Sequence, residues 1–360
     1  GTYSELRSER VAGIDLHFFT PRMKDFILDE VLSQYDAVVV GGDVVWGYAE
    51  EIDDVFFLRS EAFLRSRRPT VIFNAVHTYL TRSTLGLEAG ENPFTFSNTR
   101  LPSPELGRDK LIRACERAEY ISVRTQYSAD MLKDIGVNKQ LHFVPDPVVS
   151  METENLPELH DGILPKSEKP LLGVSIQPEF AGIFSAGLQQ SKILDDWEVV
   201  PYPFSMLYYN LESVKKFKQR FGDRLRYVER YLDPVQTASL IARFNGSLND
   251  TFHGTILAFA SKIPFLLIDW EEAHSSRRRN LLKPYGLEDR IVNMTPDGFA
   301  EGLDNITRGT TRASDAMLKE TRNLHDSHFD RVASAIEKSA RQRDVRFQIK
   351  SGHHRLLYGT

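Results

Sequence analysis

Short apolar runs alternate with longer amphipathic stretches along almost the whole chain, and this alternation limits the fold more than any single motif. A run such as Ala37–Val40, with no polar residue between its apolar ones, suits a strand covered on both faces. Amphipathic stretches between such runs suit crossover helices, and the repetition demands parallel sheets flanked by helices. The first part of the chain predicts strands at Ala12–Phe19, Ala37–Val40, Thr70–Phe73, Tyr120–Val123 and Leu141–Val144. Helices are predicted at Met23–Ser33, Arg59–Arg65, Asp109–Arg117 and Gln126–Ile135. Ser150–Lys169 is rich in Glu, Pro and Gly, shows no period and reads as a linker.

Alternation then resumes. Strands are predicted at Leu171–Ile176, Val199–Tyr202, Leu225–Val228, Gly246–Leu248, Phe265–Ile268 and Arg290–Val292. Helices are predicted at Leu211–Phe221, Val235–Phe244, His253–Ser261, Ser276–Lys283 and Pro296–Asn305. Asp233-Pro234 marks a helix start, with Asp as N-cap and Pro in the first turn. A long last helix, about Ser314–Arg341, precedes a basic tail. The predicted fold class is therefore α/β, with two Rossmann-like lobes, a parallel sheet in each and a crevice between them. The expected division is an N-terminal lobe over 1–150, a linker over 151–168, a C-terminal lobe over 169–313, and a helix with basic tail over 314–360. Thr78–Arg108 has no clear period and reads as a long loop suited to an adaptable binding surface. The chain opens on what reads as the second strand of a lobe, so a first strand is expected upstream.

Composition excludes several classes. With 360 residues, 45 Lys and Arg against 50 Asp and Glu, and a net charge of −5, the chain has no general pull toward nucleic acid or anionic lipid. No apolar run is long enough to span a bilayer. The single cysteine, Cys115, excludes a disulfide framework and a cysteine-built zinc site and fits a reducing compartment. Residues 1–20 lack a signal-peptide pattern. No metal site is expected, and His353-His354 in the tail has no neighbours to complete one.

The strongest local feature is Asn249-Asp250-Thr251-Phe252-His253-Gly254-Thr255, which joins a strand end to the apolar helix Ile256–Ala260. Free N–H groups and the helix dipole at such a turn favour an anion. Gly254 permits close approach to the backbone, Thr255 adds a hydroxyl, and His253 is the group that titrates near neutral pH. An ordinary strand–helix turn with a satisfied histidine is the plain alternative.

The segment resembles the Ser/Asp-x-x-His-Gly turn of the polysaccharide pyruvyl transferase family. Other pieces follow in the same order. Tyr35 to Asp43 resembles the family's Asp-x-Val-x-x-Gly-Gly strand end. Ile121-Ser122-Val123-Arg124 resembles its Ser-Val-Arg segment, and Pro145-Asp146-Pro147 its Asp-Pro lobe end. Pro264-Phe265, Ser275-Ser276-Arg277, Leu281-Leu282, Gly286-Leu287 and Asp289-Arg290 resemble its C-terminal trailer. The chain departs at Thr251, where many members carry an arginine, so another cation has to serve the donor.

The resemblance implies a GT-B-like fold and an enzyme that uses phosphoenolpyruvate to place a pyruvate ketal across two hydroxyls of a sugar. Phosphoenolpyruvate is then a co-substrate, with no cofactor, and the acceptor is a sugar, an oligosaccharide or a lipid-linked glycan of a surface polysaccharide. The protein would act in the cytoplasm, either free or peripheral at the inner face of the membrane. His253 is the candidate acid/base or phosphate-binding imidazolium. Arg124 and Arg277 are candidates for the donor's paired anionic groups, which suit a guanidinium fork. In the run Arg277-Arg278-Arg279 three consecutive helical residues cannot all face one way, and the resemblance favours Arg277. Gly254, Thr255, Asp250 and Asn249 join the donor set. Gly41, Gly42, Asp43, Asn74, Asp146 and Gln177 are candidates for acceptor or phosphate contact. For Asp146 an N-cap or hinge role is equally open.

Two other functions fit the same fold. A nucleotide-sugar glycosyltransferase often carries two Glu residues eight positions apart, whereas Glu271 and Glu272 are followed at that spacing by Arg279 and Asn280. A non-catalytic binding protein is the other alternative.

Overall fold

In a computed structural model of the protein the described residues are 7–11, 14–18, 35–41, 70–76, 104–160, 162–164, 167–204, 210–270, 277–309 and 314–350. The chain divides into two compact units, 1–144 with 326–360, and 145–325. The first division thus falls after Val144, earlier than the 150 expected from the linker-like composition.

In the first unit, β1 (Arg7–Val11) and β2 (Ile14–Phe18) form an antiparallel pair of their own, where one strand over Ala12–Phe19 was expected. The main sheet contains β3 (Ala37–Gly41), β4 (Thr70–Val76), β5 (Ala118–Val123) and β6 (His142–Phe143), in that order and all parallel. Helix α1 (Pro104–Arg117) precedes β5, and α2 (Gln126–Asp134) links β5 to β6. Thr125 caps α2 by accepting from Ser128 N–H at 3.2 Å. Because α1 starts at Pro104, the last part of the loop expected over Thr78–Arg108 is helix. Residues 77–103, and the helices expected at Met23–Ser33 and Arg59–Arg65, lie outside the described residues.

Alternation along β4 sorts its side chains between two faces. Val71 and Phe73 pack with Leu111, Ala114 and Cys115 of α1 and with Leu132 of α2. Burial pushes the Cys115 thiol up to about 12, so it is a packing residue and not a nucleophile. Ile72 and Tyr120 turn the other way and meet Ala335, Val332 and Ile336 of the final helix, Asp315–Lys350. That helix, expected to stand apart as 314–360, is therefore part of the first unit's packing from Asp326 onward, while its start belongs to the second unit.

The second unit carries β7 (Leu171–Ser175), β8 (Glu198–Pro201), β9 (Gly246–Asn249) and β10 (Phe265–Leu267), ordered β10-β9-β7-β8 and all parallel. Its helices are α3 (Ala181–Gln190), α4 (Ile193–Asp196), α5 (Asn210–Phe221), α6 (Pro234–Ile241), α7 (Phe252–Ala260), α8 (Arg277–Leu282) and α9 (Pro296–Thr307). Asp233 caps α6 by accepting from Gln236 N–H at 2.8 Å, with Pro234 next to it, as the Asp-Pro pair predicts. Both sheet faces are covered. Leu171, Val200 and Phe265 pack with Leu240, Ile256 and Phe259, while Leu172, Val174 and Leu248 pack with Phe184, Phe217 and Phe299.

Three expectations change here. Leu225–Val228 does not pair as a strand, although Arg226 and Val228 still donate to Val199 and Pro201 carbonyls along the edge of β8. Arg290–Val292 is reduced to one bridge, Leu267 to Ile291. The linker over 151–168 is packed, not free: Val149 and Ile163 are buried in the second unit's core, with Met151, Leu156, Leu159 and Leu164 against it. Its apolar residues lie in irregular backbone beside the 3₁₀ turn Thr153–Asn155, so no helix or strand period marks them. Among the described residues no helix is long and apolar enough to cross a membrane.

Helix α3 was not predicted because Gly182 and Gly187 dilute its helical signal. At Gly187 the glycine serves packing. An added Cβ would lie 2.5 Å from Phe299 Cβ and 2.7 Å from the Pro296 carbonyl of α9. Gly187→Ala should therefore destabilise the protein by about 1–3 kcal/mol through overpacking, despite the better helix former. Urea denaturation measures this, and an unchanged or raised midpoint would show that α3 and α9 do not cross so closely.

Candidate functional site

Parallel sheets bind ligands at the carboxyl ends of their strands. In the second unit that edge is dominated by the turn from β9 to α7. Thr251 is the N-cap of α7, its Oγ1 accepting from Gly254 N–H at 3.3 Å, and Thr255 Oγ1 donates to the Thr251 carbonyl at 3.0 Å. Asn249 Oδ1 accepts from Tyr202 O–H at 2.8 Å, and Asn249 Nδ2 donates to Ser247 Oγ at 2.7 Å. A Cβ on Gly254 would fall 2.5 Å from Thr251 Oγ1 and 2.7 Å from Asn249 Oδ1. The glycine is needed because protein fills the space beside it.

Gly254, Thr255 and Asn249 shape the turn with internal partners, and Thr255 and Asn249 are fully buried. The residue the turn presents outward is His253, 39% exposed on its side chain. Its Nε2 lies 3.7 Å from Oδ2 of Asp146, which is almost wholly buried. Asp146 also caps the Pro147–Ser150 turn, accepting from Val148 N–H at 3.1 Å. Asp146 thus has the N-cap role left open by the sequence and faces the histidine as well.

Beneath the turn Asp250 is fully buried. Its Oδ2 accepts from Gln177 N–H at 2.5 Å, while Oδ1 has no hydrogen-bond partner among the described residues. Burial pushes its carboxyl up to about 7, opposed by the Gln177 amide and the Arg278 charge and aided by Glu179. Arg278 Nε donates to the Asp250 carbonyl at 2.7 Å, and its guanidinium lies 4.5 Å from the Trp270 ring centre. The Gln177 side chain, with its oxygen toward Trp270 Nε1 (3.3 Å) and its nitrogen toward Glu179 Oε1 (2.7 Å), completes this edge.

Of the run expected to present Arg277, it is Arg278 that reaches the turn, and it is 1% exposed, not solvated. Arg279 lies 3.7 Å from buried Asp269. The side chain of Arg277 lies outside the described residues, and α8 begins at that position.

The carboxyl edge of the first unit's sheet gathers Gly41, Asn74 and Arg124. Gly41 pairs in register with Asn74. Arg124 follows β5 directly, is nearly buried, and donates its backbone N–H to the Val76 carbonyl at 3.1 Å. Asn74 Oδ1 accepts from His328 Nε2 at 2.5 Å, and His328 Nδ1 is 2.9 Å from the Tyr120 hydroxyl. Since an amide oxygen only accepts, His328 Nε2 is the donor to Asn74, and Nδ1 faces the Tyr120 hydroxyl. Ala75, next in the chain, has φ 48°, a strained value for alanine, and a register shift accompanies it. The strained amide donates to Ser122 Oγ at 2.7 Å. Gly42 and Asp43 lie outside the described residues.

The family model for polysaccharide pyruvyl transferase matches residues 3–272, which include both sheet edges. The chain belongs to that family. No curated protein matches it in sequence. Among solved structures this pyruvyl transferase family member is similar to a Listeria monocytogenes protein assigned as a UDP-N-acetylglucosamine 2-epimerase, at TM-score 0.52 and 14% identity over 85% of this chain and 78% of that one. The UDP-GlcNAc 2-epimerase of Methanocaldococcus jannaschii gives 0.51 and 13% over 79% and 74%. An E. coli structure described as trehalose-6-phosphate bound with UDP-2-fluoro glucose gives 0.50 and 12% over 89% and 75%. At these identities the likeness is one of fold, the GT-B architecture that the two four-stranded parallel sheets also display.

Sequence reasoning did not single out Tyr120, His325, His328 or Arg278. The two histidines were legible as a pair one turn apart on the final helix. Among the described residues no group of three or more His, Cys, Asp or Glu could hold a metal ion.

Asp250 gives this chain a pH signature. Its carboxyl rises from the ordinary aspartate value of 3.8 to about 7 on folding, so between these values the folded state binds the extra proton. That contribution to stability is greatest at low pH and is lost as pH rises through about 7. Asp250→Asn removes the dependence. Its melting temperature relative to the parent should therefore climb between pH 5 and pH 8. Melting curves that run parallel across that range would show that Asp250 ionises as freely when folded as when unfolded.

Proposed function

We propose that this chain is a phosphoenolpyruvate-dependent transferase that forms a pyruvate ketal on a sugar of a surface polysaccharide or its precursor. The observation that carries the reading is His253 held 3.7 Å from Asp146 at the carboxyl edge of the second sheet. Ketal formation needs one proton delivered to carbon and one removed from oxygen, and a partly exposed imidazole steadied by a buried carboxylate suits both tasks.

In this reading His253, as imidazolium, gives a proton to the methylene carbon of phosphoenolpyruvate, leaving an oxocarbenium-like centre beside the carboxylate. A sugar hydroxyl adds to that centre and its proton returns to the imidazole. The carbon–oxygen bond to phosphate breaks, and the neighbouring hydroxyl closes the ring. Of the two hydroxyl protons, one replaces the proton placed on carbon and the other leaves with hydrogen phosphate. Asp146 orients the imidazole. Arg124 is the proposed cation for the donor. Gly41 and Asn74, on the same edge of the first sheet, are the proposed acceptor contacts. Arg278 holds the turn from beneath through the Asp250 carbonyl, and Arg277 stays a proposed donor contact.

Phosphate release from phosphoenolpyruvate should require a glycoside with neighbouring hydroxyls and no nucleotide. Release dependent on a nucleotide sugar, with glycosyl transfer in the product mass, would favour a glycosyltransferase instead. His253→Ala and His253→Gln should both stay folded and lose about 100-fold or more in turnover, the scale of a lost general acid. Near-normal turnover in either variant would remove His253 from the chemistry.

Arg124→Lys keeps the charge and loses the fork. Donor affinity should fall by about 1–3 kcal/mol, the range for a charged hydrogen bond, with turnover at saturation less affected. An unchanged KM for phosphoenolpyruvate would mean that Arg124 serves only its own sheet.

A further inference from the structure

The loop that carries Asp146 is grasped at both ends by one side chain. His325, on the final helix, is 2% exposed. Its Nε2 lies 2.9 Å from the Pro145 carbonyl, and its Nδ1 contacts Ser150 Oγ. The residues between are a 3₁₀ turn, Pro147–Ser150, in which Val149 N–H donates to the Asp146 carbonyl at 3.0 Å and Met151 N–H to the Val148 carbonyl at 3.1 Å. A carbonyl oxygen only accepts, so His325 Nε2 donates to Pro145, while Nδ1 meets the Ser150 hydroxyl. The imidazole is thus a cross-brace between the two ends of the turn.

The brace is anchored. One turn earlier Thr321 Oγ1 meets the Tyr285 hydroxyl at 2.9 Å, and Leu318 lies in the second unit's core. Val149, inside the braced turn, is fully buried in the same core as Ile256 and Phe259 of α7. Hence the turn is fixed on one side to the helix that bears His253 and on the other to His325.

We propose that His325 is a positioning residue for the reaction: by bridging the Pro145 carbonyl and the Ser150 hydroxyl it sets the direction of the Asp146 carboxylate toward His253. This rests on the catalytic reading of His253 given above. His325 touches neither donor nor acceptor; it acts through the turn. A buried carbonyl deprived of its donor costs free energy, and the turn relieves this by rotating toward other partners, which moves Asp146. Small misplacements of catalytic groups lower the chemical step more than binding.

The test compares the whole protein with His325→Ala, His325→Gln and Ser150→Ala. Amide hydrogen exchange at Val148, whose N–H is held by Asp146 Oδ1, reads the turn without any substrate. His325→Ala should speed that exchange about 10-fold or more while the amides of α7 keep their protection. In the same variant kcat should fall by about 10-fold with KM for phosphoenolpyruvate nearly unchanged. His325→Gln, whose amide can still reach the Pro145 carbonyl, should recover most of both. If His325→Ala fails to fold, Ser150→Ala decides, with a smaller change of the same kind at Val148. Unchanged exchange at Val148, or loss of protection spread evenly through α7, overturns the proposal. If the parent protein transfers no pyruvyl group while the exchange behaves as described, the brace stands and the reading of the reaction is what falls.

Discussion

Everything at the second unit's sheet edge hangs on the hydrogen bond by which Thr251 Oγ1 caps the Gly254 amide. That bond, at 3.3 Å, draws the first turn of α7 down onto the end of β9 until no Cβ fits at Gly254. With the turn closed in this way, the Gly254 amide is satisfied from within the protein, and the polar side chain the turn sends outward is His253. Thr251 stands where many family members carry an arginine. Here a small hydroxyl residue caps the helix, and the buried cation under the turn comes from α8, through Arg278.

The parts of the fold that were legible were those set by local rules. Buried parallel strands such as Leu171–Ser175 and Gly246–Asn249 are short apolar runs, and their helices begin at residues with a cap to offer, Thr125, Asp233 and Thr251. What escaped was set by tertiary contact. Helix α3 is poor in helical propensity because Gly187 makes room for α9, a fact of packing with no local mark. The segment over 151–168 looks like a linker because its buried residues follow irregular turns. Leu225–Val228 has strand composition but shares only part of a ladder with β8.

The candidate site divides along the same line. The outward placing of His253 was legible because it is the titratable residue of a helix start, beside a glycine. The internal partners of Asn249, Gly254 and Thr255 were not legible, because a polar residue looks the same in sequence whether its partner is a ligand or a buried tyrosine. Tyr202 is that partner for Asn249. Arg278 was not legible as the buried cation, since helical spacing alone does not say which of three consecutive arginines turns inward. Trp270 and the Asp250 carbonyl select it. The final helix gave the least warning. Two histidines one turn apart each serve a different unit, His325 at the loop of Asp146 and His328 at Asn74.

The central claim is that an imidazole at this turn protonates the methylene carbon of phosphoenolpyruvate on the way to a ketal. The reaction run in deuterated water with unlabelled phosphoenolpyruvate and a glycoside acceptor tests it most directly, by the mass and NMR spectrum of the product. A ketal whose methyl group carries one deuterium is predicted, formed by the parent protein and not by His253→Ala. A product without carbon-bound deuterium, or a ketal formed equally well by His253→Ala, would contradict it.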